Sequence, residues 1–177
     1  MNLFVFNGEG YKSLQDDDGY QRIGASFIYN FSDKIFGKIY LDSHPSKDAK
    51  AITNSSIFLG YKETNFRLGV EYGKIKNGRT YKNVDDGHNR DGYSIFAIQS
   101  LKNNFEIYAR YDSIGSNILS LQSNSWNYNN DGNLMIFGTQ YEATKGVKFN
   151  LNYRLFNHDN STINNKSALF LNAEIKI

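Results

Sequence analysis

Cysteine is absent from this chain of 177 residues, and proline occurs once, at Pro45. Without cysteine, neither disulfide bonds nor thiolate-bound metal ions can stabilise the fold. No apolar run reaches the roughly 18 residues that a membrane-spanning helix requires, so helical spans are excluded. Basic and acidic residues nearly balance, leaving a formal net charge of +2. That balance gives no reason to expect nucleic acid as a partner.

Aromatic residues are what the chain has in abundance, with thirteen Tyr and thirteen Phe. Such residues favour strands, and they also gather at the membrane interfaces of β-barrels. No capping box leads into an apolar stripe of helical period. Pro45 lies between strand-like segments, where a sheet tolerates it. The sequence therefore predicts an all-β fold in one domain spanning 1–177, with no separate soluble domain.

The last eleven residues, from Ser167 to Ile177, alternate between apolar and polar side chains. A period of two predicts a strand with one apolar face and one polar face. The apolar face consists of Leu169, Leu171, Ala173, Ile175 and Ile177. We expect this strand to close an outer-membrane barrel and its apolar end to be recognised by the barrel-assembly machinery. An ordinary edge or sandwich strand is the alternative.

Ten segments have the alternation of strands, and the links between them are alternately short and long. The segments are 2–7, 20–31, 35–42, 52–61, 66–75, 93–101, 105–113, 133–142, 147–156 and 167–177. The short links are 32–34, 62–65, 102–104 and 143–146, and the long ones are 8–19, 43–51, 76–92, 114–132 and 157–166. This sorting predicts an antiparallel up-and-down transmembrane barrel rather than a Greek-key sandwich. A complete ten-stranded barrel is possible, but the short first segment favours the C-terminal part of a larger one.

Three of the segments that follow short links share a pattern in which apolar and aromatic residues alternate with polar or charged ones. We expect the first set to face lipid, with rings at the membrane interfaces, and the second to face a polar lumen. The predicted interface aromatics are Phe66, Tyr72, Phe105, Tyr111 and Tyr153. A soluble ligand-binding barrel, with the apolar face inside, is the alternative. The segments 94–101 and 134–141 are apolar on both faces, so their orientation cannot be assigned.

Charged side chains on the polar faces are the predicted lining of a pore. The basic ones are Arg22, Lys38, Arg67, Lys74, Arg110, Lys148, Arg154 and Lys176, and the acidic ones are Asp42, Glu71, Glu106, Asp112 and Glu174. Their mild positive excess predicts a weak anion preference at most, because side-chain charge tunes which ions pass. Alternatively, these charges pair across strands, as Arg67 could with Glu106, and fill a closed interior.

No motif for catalysis, a metal or a cofactor stands out. His44, His88 and His158 all fall in predicted loops without a short-spaced partner, so we expect no metal site. The acidic run at 16–18 lacks the spacing of a calcium loop, and 85–87 is expected to be a turn. A rim hydrolase using His44 or His88 beside a loop aspartate is a weaker alternative, and the prediction is that the chain is not an enzyme.

Asn7-Gly8-Glu9-Gly10-Tyr11, followed by the acidic run at 16–18, forms a motif that is found in a known family. It resembles a strand that ends in Asn-Gly-x-Gly before a surface loop in phosphate-selective-porin-like outer-membrane proteins of Gram-negative bacteria. Phe58-Leu59-Gly60-Tyr61 and Tyr108-Ala109-Arg110-Tyr111-Asp112 resemble porin strands. The resemblance implies a trimeric general or anion-preferring porin of roughly sixteen strands.

The expected function is passive diffusion of small hydrophilic solutes or ions across the outer membrane. The expected partners are the lipid bilayer, lipopolysaccharide, the barrel-assembly machinery, further copies in a homotrimer and the solutes themselves. A closed ten-stranded barrel that acts through its surface loops, as an adhesin or a rim hydrolase, is the second hypothesis. Barrel width separates the two, because side chains nearly fill a narrow barrel whereas about sixteen strands leave a channel.

Overall fold

The computed structural model describes residues 1–7, 19–47, 49–79, 82–83 and 87–176. The strands in this part of the chain are β1 Asn2–Asn7, β2 Gln21–Asn30, β3 Ile35–His44, β4 Ile52–Lys62, β5 Phe66–Lys76, β6 Gly78–Arg79, β7 Lys82–Asn83, β8 Arg90–Ser100, β9 Phe105–Ser116, β10 Gly132–Thr144, β11 Val147–His158 and β12 Lys166–Ile175. β6 and β7 form a small hairpin, and the other ten strands form one antiparallel sheet in sequential order.

The predicted all-β, up-and-down fold is confirmed, because each strand of the large sheet pairs with the one before it. The short turns are 31–34, 63–65, 101–104 and 145–146, and they lie at the end of the sheet that we call the short-turn end. The long connections lie at the opposite, long-loop end. Asn103 and Asn104 both have positive φ, 60° and 61°, as a tight hairpin turn requires. No helix in the described ranges is long and apolar enough to cross a membrane.

Several strands extend beyond their predicted limits at the long-loop end. β8 begins at Arg90 and β9 continues to Ser116, and these two residues pair directly. The backbone pairing continues here through polar residues, and a search for alternating apolar residues does not detect such strand ends. His44 and His158 were predicted in loops but end β3 and β11, because the same polar ladder reaches them.

The link predicted at 143–146 is also shorter than expected. β10 continues to Thr144 through a register shift between Glu142 and Thr144, so only Lys145 and Gly146 form the turn. Gly146 has φ +85°, a conformation that glycine adopts without strain. The calcium-like run at 16–18 and the predicted turn residues 85 and 86 lie outside the described residues.

The cross-strand register sorts the side chains into two faces, since directly opposed residues of an antiparallel pair point the same way. Lys38, Phe58 and Glu71 oppose one another across β3, β4 and β5. We call their side the inner face. The opposite side, the outer face, carries residues such as Ile57 and Leu59, which are 56% and 53% exposed.

The inner face is concave. Side chains reach over an intervening strand on this face, as Arg67 of β5 does over β8 to Glu106 of β9. Tyr108 of β9 likewise donates its hydroxyl over β10 to Asn150 Oδ1 of β11, at 2.9 Å. Such contacts are favoured when the sheet curves towards its polar side, as the wall of a barrel does.

The buried residues are mostly polar. Among the described residues, Ile52 is the one buried hydrophobic side chain. The buried polar ones are Ser26, Asp42, His44, His88, Asp131 and Asn152. A soluble barrel needs an apolar interior, because hydrophobic burial supplies most of its stability. The exposed apolar outer face and polar inner face are therefore the arrangement expected in lipid.

The two edges of the sheet are unpaired in the described structure. β12 pairs with β11 alone, and all ten of its residues are exposed. β1 pairs with β2 alone. Leu169, Leu171, Ala173 and Ile175 do share the outer face, but a barrel-closing role for β12 stays a prediction, and Ile177 lies outside the described residues.

Candidate pore-lining site

The register places the charged residues that were predicted to line a pore on the inner face. In β2 to β5 these are Arg22, Lys38, Arg67 and Glu71, and in β9 to β12 they are Glu106, Arg110, Lys148, Arg154 and Glu174. Lys176 lies just beyond β12 and pairs with Glu174 through Nζ and Oε1 at 2.9 Å. That these residues line a solute path stays a prediction.

Lys74 was assigned to the wrong face. It opposes Ser55 of β4 and Asp91 of β8 on the outer face. The physical reason is the strand period of two, since Lys74 follows Tyr72 by two residues and Tyr72 faces outward.

Asp42 is the centre of a hydrogen-bonded cluster near the long-loop end. Arg22 donates from Nε to Asp42 Oδ1 at 2.8 Å and from Nη2 to Oδ2 at 3.1 Å. Tyr40 donates its hydroxyl to Oδ2 at 2.5 Å, and Asn54 donates from Nδ2 to Oδ1 at 2.6 Å. The Asp42 side chain is only 1% exposed, so four donors replace the water that burial removes.

Glu106 forms a second cluster towards the short-turn end. Its Oε1 accepts from Arg67 Nη2 at 2.5 Å and from Ser100 Oγ at 2.9 Å. Its Oε2 accepts from Gln140 Nε2 at 3.2 Å. The ion pair considered from the sequence between Arg67 and Glu106 is thus present, so part of the inner charge is neutralised locally.

The remaining inner charges are partly paired. Arg110 donates from Nε to both oxygens of Asp112 at 2.8 and 2.9 Å, and Lys148 Nζ lies 3.9 Å from Glu142 Oε2. Within the described ranges, the charged inner-face residues without an ion pair are Lys38, Lys62, Glu71, Arg90, Arg154 and Lys166. All of these except Glu71 are basic, so the residual field of the inner face is weakly positive.

Sequence reasoning missed four inner-face charges, Lys62, Arg90, Glu142 and Lys166. Each lies at the end of a strand, within two residues of a predicted loop or turn. Continuing the alternation of the neighbouring apolar residues outward by two or three positions would have found them.

Apolar residues also occupy the inner face, and they explain why two strands could not be oriented. Phe96 and Ile98 of β8 share the inner face with Arg110 and Tyr108 of β9. Ile136 of β10 does the same, opposite Arg110 and Arg154. With apolar residues on both faces, the period-two signal vanishes in these strands.

The predicted interface aromatics all lie on the outer face, in two bands. Phe66 and Phe105 belong to the band at the short-turn end, where Phe105 stacks on Tyr141 with ring centroids 4.5 Å apart. The other band, nearer the long-loop end, contains Tyr72, Tyr93, Tyr111 and Tyr153. Six residues of strand, as from Phe105 to Tyr111, span about 20 Å.

Two hydroxyl groups of the second band, those of Tyr72 and Tyr111, bond to polar partners on its long-loop side. Tyr72 donates to Asp91 Oδ2 at 3.1 Å, and Tyr111 donates to Asn133 Oδ1 at 2.6 Å. A ring in apolar surroundings with its hydroxyl among polar groups is what a membrane interface selects. Their place at such an interface stays a prediction.

The long connection 117–131 is folded around a buried carboxylate. Asp131 is 1% exposed, and its Oδ2 accepts from Ser116 N at 3.1 Å, Ser116 Oγ at 2.6 Å and Ser125 Oγ at 2.6 Å. Asn127 donates from Nδ2 to Oδ1 at 3.3 Å. Trp126 attaches the same loop to the preceding long connection by donating from Nε1 to the carbonyl of Asn89 at 2.8 Å. This loop is thus anchored to the end of β9.

The described residues contain no cluster of metal ligands. Within the described ranges, no group of three or more His, Asp or Glu side chains is arranged to hold a metal ion. His158 Nδ1 lies 2.8 Å from the carbonyl oxygen of Asn129, so this histidine links the end of β11 to the long connection 117–131.

The fold is similar to that of a known outer-membrane protein structure. A solved structure of the NanC porin superposes with a TM-score of 0.60 at 10% sequence identity, covering 89% of this chain and 79% of that one. The chain has a porin-like fold. No protein-family model and no curated protein sequence matches it. The porin-like part of the expected resemblance is therefore supported, whereas membership of the phosphate-selective family is not.

Proposed function

We propose that this chain forms the wall of an outer-membrane channel through which small hydrophilic solutes diffuse passively. The observation that carries the proposal is the sorting of the two faces. The concave face carries clusters such as that around Asp42, and the exposed convex face is apolar between two aromatic bands. In a membrane barrel, this arrangement places water inside and lipid outside. No residue is assigned a catalytic role.

The unpaired edges of β1 and β12 support a larger barrel of which this sheet is a part. Each backbone N–H or C=O left unpaired in the lipid core costs several kcal/mol. We therefore propose that further strands pair with both edges, and that the completed barrel has room for a water-filled channel. Lipopolysaccharide around the long loops, the assembly machinery and a homotrimer are the partners proposed with it.

Conductance in a planar bilayer tests the proposal. The full-length protein, refolded in detergent, is expected to produce stepwise ion currents, with reversal potentials in a salt gradient that indicate a weak anion preference at most. A verified, folded barrel that produces no current steps would overturn the channel function.

Charge reversal on each face provides a matched comparison. R154E reverses a charge on the inner face, where Arg154 lies 4.3 Å from the ring centroid of Phe170, and should shift the reversal potential towards cation preference. K74E makes the same change on the outer face and should leave it unchanged. Equal shifts in the two variants would mean that the inner face does not line the path.

A further inference from the structure

Three phenylalanine rings form a continuous apolar strip on the inner face. Phe36 of β3 and Phe58 of β4 have ring centroids 5.6 Å apart, and Phe58 and Phe96 of β8 are 6.3 Å apart and parallel to within 18°. Each of the three is half-buried, so part of every ring is open to the interior. We call these residues the phenylalanine strip.

Two glycines beneath the strip bring its rings close to the sheet. Gly60 and Gly69 oppose each other in β4 and β5. A Cβ at Gly60 would lie 2.6 Å from the Phe36 ring, and a Cβ at Gly69 would lie 2.4 Å from the Phe96 ring and 2.9 Å from the Phe58 ring. The rings therefore occupy the space that these side chains would take and lie close to the wall of the sheet.

Opposite charges flank the central ring. Lys38 opposes Phe58 from β3, and Glu71 opposes it from β5. Both charged residues are exposed, and no described residue forms a hydrogen bond or an ion pair with either side chain. Lys38 lies in β3 and Glu71 in β5, with β4 between them. The Cα atoms of the two charged residues are therefore two strand spacings, or roughly 9.6 Å, apart.

We propose that this arrangement binds a short zwitterion with an apolar middle, such as a dipeptide with aliphatic side chains. The carboxylate would pair with Lys38, the ammonium group with Glu71, and the apolar side chains would lie on the phenylalanine strip. Charged pairs fix the orientation of a ligand while apolar contact supplies area. The inference rests on the proposed channel function and names a class of solute for it.

Binding of leucyl-leucine to the full-length protein in detergent, measured by equilibrium dialysis, tests the proposal without requiring conductance. Removing one charge from either partner should weaken binding about three- to tenfold, the effect expected for a solvated ion pair with hydrogen-bonding geometry. E71Q and N-acetylation of the peptide should each cause this loss, and the two together should cause little more. K38M and amidation of the peptide carboxylate should behave in the same way.

Control variants separate this site from general adsorption. K74M removes a lysine from the outer face and should leave binding unchanged, and F58L should weaken binding while heat-dependent gel mobility shows that the barrel has folded. The site is overturned if the free and N-acetylated peptides bind wild-type protein equally, or if glucose binds as well as leucyl-leucine. If the peptide binds but no ion current is seen, the channel function fails and the site stands.

Discussion

Arg22 and Asp42 form a two-point ion pair across β2 and β3, with both carboxylate oxygens engaged by one guanidinium group. Because the Asp42 side chain is 1% exposed and that of Arg22 is 20% exposed, D42A leaves a partly buried cation and two further donors without an acceptor. We expect a loss of about 2 to 4 kcal/mol in the free energy of unfolding. Urea unfolding in detergent micelles, followed by circular dichroism, measures it.

A matched change at Asp33, an exposed residue of a short turn, should cost less than about 0.5 kcal/mol. Similar losses in D42A and D33A would show that the cluster around Asp42 contributes no special stability.

Gly69 and Gly115 provide a paired test of how tightly the phenylalanine strip packs. A Cβ at Gly69 meets two rings at 2.4 and 2.9 Å, whereas a Cβ at Gly115 meets nothing within 4 Å. G69A should therefore destabilise the sheet by about 1 to 3 kcal/mol through overpacking. G115A should be neutral or stabilising by less than about 1 kcal/mol. The same urea titration compares them, and equal stabilities for the two variants would contradict the packing described.

Asp131 should protect the long connection 117–131 from proteolysis. D131A removes the acceptor of the Ser116 and Ser125 hydroxyl groups, so the loop should open and expose its backbone. Limited proteolysis followed by mass spectrometry should show faster cleavage within 117–131 and no change in the short turns. D159N, at an exposed position of the next long connection, should leave the cleavage rate unchanged. Undiminished protection in D131A would mean that other contacts hold this loop.

The pKa of Glu63 should lie below its ordinary value of 4.5, chiefly because Lys34 donates a hydrogen bond to its carboxylate from the neighbouring short turn. A lowered pKa means that this pair stabilises the fold above pH 4.5 and that the contribution is lost as the pH falls through the lower value. Carbon-detected NMR titration of the refolded protein reads this pKa directly.

In K34Q the pKa of Glu63 should return towards 4.5, while K145Q, in another short turn, should not move it. A Glu63 that titrates at its ordinary value in the wild-type protein would show that the turns do not hold this contact in solution.

The strands that the sequence predicted best are those with one purely apolar face. In β5, β9 and β11 the residues from Phe66 to Tyr72 and their counterparts alternate without interruption, and the register places each such set on one side of the sheet. β8 and β10 could not be oriented, because Phe96 and Ile136 place apolar groups on the inner face as well. The prediction for Lys74 failed for a different reason. Its charge suggested the lumen, although the period of two places it on the outer face.

The contacts between distant strands lay beyond sequence reasoning, with one exception. Arg67 and Glu106 could be paired because opposite charges on one face of a sheet attract each other. The phenylalanine strip could not be found in this way, because it depends on Gly60 and Gly69 lying opposite each other. Their opposition follows from the register of β4 and β5, and the alternation of residues within each strand does not determine that register.

Strictly sequential pairing also determines how this sheet can assemble. After β1, each strand of the large sheet pairs with the strand of that sheet that precedes it, and only the small β6–β7 hairpin intervenes, between β5 and β8. No pairing therefore has to wait for a distant segment. Folding rates fall as contacts become more distant in sequence, so pairing between neighbouring strands favours fast folding. The long connections add little to the entropic cost, because that cost grows only slowly with loop length. The sheet can thus grow hairpin by hairpin, and the late arrival of β12 would leave all earlier pairings intact.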